Sequence, residues 1–104
     1  SGSRWIVPKG GLEKEMTRQQ VALMKAAEEA GAIGALEHGL KTECRMADQR
    51  KLHLYPLRVA VLLPHWPERL MRRRVVLPIY RALLRIRDPE LAQAIRRLAR
   101  QIEP

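Results

Sequence analysis

Lys25, Glu28 and Glu29 are the residues of this 104-residue chain whose types and spacing bear most directly on chemistry. Offsets of three and four residues place all three side chains on one face of a helix. Adjacent carboxylates on such a face are donors for a hard divalent cation, and a cation that also holds substrate phosphates usually takes only one or two protein carboxylates plus waters. Glu28 and Glu29 are thus weak metal ligands. Lys25 opposes them, because an ammonium four residues before Glu29 pairs with the acids a metal would neutralise and acts as a tethered substitute for it. An exposed pair of this kind adds only about 0.3–0.5 kcal/mol to a helix, so its effect falls on metal affinity rather than on stability. A Schiff-base role for Lys25 requires a neutral amine, which two neighbouring acids disfavour.

The element that positions these residues is the clearest in the sequence. Thr17 and Gln20 form a capping box, an alanine-rich stretch follows, and Gly31 closes it, which predicts a helix over 18–30. Before it, Trp5-Ile6-Val7 reads as a strand entering a loop at Pro8 and Gly10-Gly11. After it, two strands are predicted over 33–46 and 51–63, joined by a polar turn at Ala47-Asp48-Gln49-Arg50. A further strand is expected over 73–77, then a helical segment around Leu83, Leu84 and Ile86. Asp88-Pro89-Glu90 opens a last helix over about 89–101. The order of elements predicts an α+β domain.

Residues 8–34 resemble the Nudix box, G-x5-E-x7-R-E-U-x-E-E-x-G-U, where U is a bulky apolar residue. With the first Gly on Gly10, Met16 stands at the first Glu, Met24 and Lys25 at the Arg-Glu pair, and Glu28, Glu29 and Gly31 at the closing E-E-x-G. Glu15 stands where the family usually has Gly, and Arg18 where it often has Pro. The resemblance implies a mixed sheet with one box helix and C-terminal helices. In the family, three glutamates hold Mg²⁺ or Mn²⁺ against a diphosphate. Replacing the acid and the base by Met16 and Met24 is a paired change, and apolar groups substituted for a partly buried ion pair are commonly neutral or stabilising.

The entry Trp5 to Gly11, with Tyr55-Pro56-Leu57, Trp66-Pro67-Glu68, Arg72-Arg73-Arg74 and Asp88-Pro89-Glu90-Leu91, is similar to the branch acting on diphosphoinositol and diadenosine polyphosphates. The resemblance implies one or two strands before Trp5, and the given sequence is expected to lack them. The expectation is a cloning scar at Ser1-Gly2-Ser3 followed by a single truncated Nudix-like domain over 4–104, with its sheet completed differently or by a second copy.

Twenty Lys and Arg against eleven Asp and Glu leave a net charge of +9, which favours polyanionic partners. Lys9, Gly10, Arg72, Arg73 and Arg74 are the phosphate-binding candidates, although a basic run also serves as a solvated strand edge that discourages aggregation. His38, His53 and His65 lack metal-ligand spacing. Cys44, the one cysteine, precludes an internal disulfide and reads as an ordinary thiol. Without a secretory leader or a long apolar run, the chain is expected to be cytoplasmic with no membrane partner.

Three readings follow. The first is a non-catalytic or severely impaired Nudix derivative, re-purposed or engineered for packing, self-association or protein binding, with no cofactor. The second is a hydrolase using Mg²⁺ or Mn²⁺ on Glu28 and Glu29 to cleave a phosphate-rich small molecule. The third is a basic module that binds RNA or polyphosphate.

Overall fold

A computed structural model describes residues 7–11 and 15–102. Trp5 and Ile6 of the predicted first strand lie outside the described residues, and Val7 has no regular structure. Helix α1 spans Arg18–Ala30. Its capping box is complete: Gln20 N–H donates to Thr17 Oγ1 at 3.1 Å, and Thr17 N–H donates to Gln20 Oε1 at 2.8 Å. Gly31 ends the helix at φ 63°, in the left-handed region where a side chain is strained.

Four short strands follow, β1 (Ala32–Leu36), β2 (Thr42–Arg45), β3 (Lys51–Leu54) and β4 (Leu57–Leu62). They form two antiparallel pairs, β1 with β4 and β2 with β3. The two long strands predicted over 33–46 and 51–63 are therefore each interrupted. Gly39, at φ 76°, lies in the turn between β1 and β2. Pro56 lies between β3 and β4, where it has no N–H to give a ladder. A bulge sits at Ile33 and Gly34, where Gly34 lets the Arg58 carbonyl approach so closely that a Cβ would collide with it. The predicted polar turn is present. Met46 and Arg50 close it, and Asp48 Oδ1 accepts from Arg50 N–H at 3.0 Å.

Helices α2 (Ile79–Leu84) and α3 (Pro89–Ile102) end the described chain. The predicted strand over 73–77 is absent: these residues are irregular, and Arg74 turns its side chain back onto the end of α1. The α+β class holds, with helices beside small antiparallel sheets.

The residues sort into two compact units. In the first, formed by the chain up to Glu37 together with 57–75, α1 packs on β1, which pairs with β4. In the second, 38–56 with 76–104, α3 packs on β2 through its buried stripe Leu91, Ala94 and Leu98, and Cys44 of β2 is buried. Within this second unit Asp88 ties the start of α3 to the β2–β3 turn, since Oδ1 accepts from Glu90 N–H and Leu91 N–H while Oδ2 accepts from Ala47 N–H at 2.9 Å.

Candidate functional site

The last two turns of α1 carry Lys25, Glu28 and Glu29, and the helix end must also satisfy the backbone carbonyls that every helix leaves open at its C-terminus. The segment after β4 supplies most of the partners. Leu63 N–H donates to Gly31 O at 2.8 Å, Glu68 N–H to Glu28 O at 3.0 Å and Arg74 Nη1 to Ala30 O at 2.8 Å. Arg74 also lies over the Trp66 ring, 4.4 Å from its centroid. A Cβ on Gly31 would come within 3.0 Å of both Trp66 and Arg74, so the glycine is required for this close approach as well as for its φ.

Wrapping this segment around the helix end brings Arg72 to Glu29, while Glu28 finds its cation, Lys25, on the helix itself. Lys25 Nζ lies 3.6 Å from Glu28 Oε2, and the Lys25 stem packs against Gly10, where a Cβ would push the lysine aside. Glu29 is buried, at 8% exposure the one buried polar or charged side chain among the described residues. Its partner is Arg72, with Nε 3.9 Å from Oε1. The same Nε donates to Glu68 Oε1 at 2.7 Å. The Glu68 bond, and after it the charge of Glu29, holds the Arg72 guanidinium above its ordinary value, so it stays a cation at any accessible pH.

Met16 and Met24, at the altered positions, are both half-buried, and Lys9 is half-buried while Gly10 is exposed. Glu15, beside Met16, sits at φ 68°, which accounts for the glycine the resembled pattern carries there. Of the basic triplet, Arg72 and Arg74 are turned into the fold and Arg73 is exposed.

His53 Nδ1 lies 3.4 Å from Glu43, and His65 is hydrogen-bonded to Arg69. Burial pushes the Cys44 thiol up, followed by the nearby charge of Asp88, which makes it a poor nucleophile.

Mg²⁺ or Mn²⁺ does not fit this donor set. One acid faces an ammonium and the other is enclosed with a guanidinium. No group of three or more His, Cys, Asp or Glu among the described residues is placed to hold an ion. Lys25 was legible as a partner for the acids of its helix face, and it pairs with Glu28. Arg72 and Glu68 were not, because only the three-dimensional return of residues 63–74 onto α1 reveals them; the one local hint was their i, i+4 spacing.

The chain is similar to three curated plant proteins. The chain is 29% identical over 98 residues to Nudix hydrolase 17, mitochondrial, of Arabidopsis thaliana, a match covering 90% of this chain and 54% of that protein. It is 34% identical over 77 residues to Nudix hydrolase 21, chloroplastic, and to Nudix hydrolase 4 of the same plant, each match covering 70% of this chain but 39% and 37% of those proteins. The chain therefore spans about half or less of the curated relatives it matches. No family model matches it. The three similarities support Nudix hydrolase ancestry and a Nudix-like fold.

Proposed function

We propose that the chain is a Nudix-derived domain in which diphosphate cleavage is lost or severely impaired, and whose altered surface serves self-association or binding of a protein partner. The observation that carries this reading is the pairing of both surviving acids with cations of the same chain, Glu28 with Lys25 and Glu29 with Arg72. A divalent ion would have to displace or outcompete both. Met16 and Met24 add to it, since neither side chain has an oxygen for a metal or a proton to transfer.

The second half of the proposal draws on exposed apolar side chains. Leu70 is 94% exposed and Leu84 84%, with Met71, Val76 and Tyr80 also largely in solvent. Exposed apolar groups of this size are common at contact surfaces. Binding of RNA or polyphosphate through the arginine triplet draws less support, because Arg72 and Arg74 are engaged with Glu68, Glu29, Ala30 and Trp66.

The test is Mg²⁺-dependent phosphate release from a panel of nucleoside and inositol diphosphate compounds, measured on the unmodified chain beside the triple variant Met16→Glu, Met24→Arg, Lys25→Glu. The unmodified chain is expected to release no phosphate above the protein-free rate. Metal-dependent turnover by the unmodified chain at a rate matching the triple variant would overturn the proposal in favour of a working hydrolase.

A further inference from the structure

Glu28 and Glu29 are held by cations of different kinds. The contrast lies in the acids, for the Glu28 side chain is 37% exposed while its partner Lys25, 22% exposed, holds the ammonium 3.6 Å away. Water reaches the carboxylate of this pair and screens it. The Arg72 pair with Glu29 is enclosed on the acid's side, where the same unit of charge acts through less water and counts for more.

Arg72 is also fixed from behind. Its Nε donates to Glu68, its backbone N–H donates to the Glu68 carbonyl at 2.8 Å, and Glu68 is itself tied to α1 through the carbonyl of Glu28. Two residues on, Arg74 is bonded to Ala30 of the same helix turn. A planar guanidinium anchored in this way loses little freedom when it faces a second carboxylate.

We infer that Arg72, positioned by Glu68, is a second tethered cation of this site, and that it excludes a divalent ion from Glu29 more strongly than Lys25 excludes one from Glu28. The inference rests on the reading that the site has lost its metal. It adds that restoring the acid at position 25 leaves Glu29 occupied. Arg72 is a positioning residue here, acting on the acid and touching no substrate.

Mn²⁺ alone is the probe, titrated against folded protein and followed by the loss of the free-ion electron paramagnetic resonance signal. The proteins are the unmodified chain, Lys25→Glu, and Lys25→Glu combined in turn with Arg72→Gln, Arg72→Lys and Arg73→Gln. The variant with Arg72→Gln is expected to bind Mn²⁺ at least about tenfold more tightly than Lys25→Glu alone. Arg73→Gln removes the same charge one residue away and is expected to change affinity by no more than about twofold. Arg72→Lys keeps the charge but loses the fork, and its affinity falls between Lys25→Glu and the Arg72→Gln variant.

Equal affinity with and without Arg72→Gln overturns the role of Arg72 and leaves the loss of metal chemistry standing. Equal gains from Arg72→Gln and Arg73→Gln overturn it too, since the effect would then be net charge. If Arg72→Gln fails to fold, no gain in the Arg72→Lys variant is sufficient to reject the inference. Tight Mn²⁺ binding by the unmodified chain defeats the underlying reading instead.

Discussion

Two backbone positions in and beside the box follow opposite rules. Gly31 takes φ 63° and lies against Trp66 and Arg74, so Gly31→Ala forces a side chain into the left-handed region and into occupied space. A loss of about 2 kcal/mol in urea unfolding is expected, and an unchanged midpoint would show that the wrapped segment yields at no cost. Glu15 takes φ 68° without being glycine. Glu15→Gly relieves that strain and is expected to raise stability by about 1 kcal/mol in the same assay; a fall would mean the Glu15 side chain makes a compensating contact. Lys25, Glu28 and Glu29 were legible from spacing alone because a helix fixes which side chains share a face. The partner of Glu29 was not, since residues 29 and 72 meet only through tertiary packing.

At the scale of elements, Asp88 links the β2–β3 turn to the start of α3. The hydrogen bond from Ala47 N–H, opposed in part by desolvation and aided by those from Leu91 and Glu90, holds its carboxyl below the ordinary value. A carboxyl lowered on folding contributes stability that is full above its unfolded value and is lost as pH falls through its folded value. Asp88→Asn is therefore expected to lower the urea midpoint at neutral pH and to converge on the parent at acid pH below both values. A difference that persists undiminished in acid would assign the effect to packing. The bounds of α1 and α3 were readable because caps are local chemistry: Thr17 and Gln20 at one, Asp88-Pro89-Glu90 at the other. The strand expected over 73–77 was misread because a β-branched run still needs a ladder partner, and Arg74 instead serves the end of α1. The long hairpin was right in its turn and in its pairing sense. Its interruption near Pro56 shows that alternation does not override a missing N–H.

At the scale of the molecule, a net charge of +9 coexists with large apolar side chains in solvent, among them Leu70, Met71, Val76, Tyr80 and Leu84. Under the proposed contact role, sedimentation velocity at moderate salt is expected to show a coefficient that rises with loading concentration, and Tyr80→Ser with Leu84→Ser to reduce the rise. A concentration-independent monomer would remove self-association and leave a different protein as the partner. No helix among the described residues is long and apolar enough to cross a membrane. The central claim is that the acids closing α1 are neutralised from within, by Lys25 and Arg72, and it is tested most directly by crystals of the unmodified chain soaked in Mn²⁺ and measured for anomalous scattering. The expected map shows both ion pairs intact and no peak between Glu28 and Glu29. A well-occupied ion bridging those two carboxylates, with Lys25 and Arg72 swung aside, would contradict it.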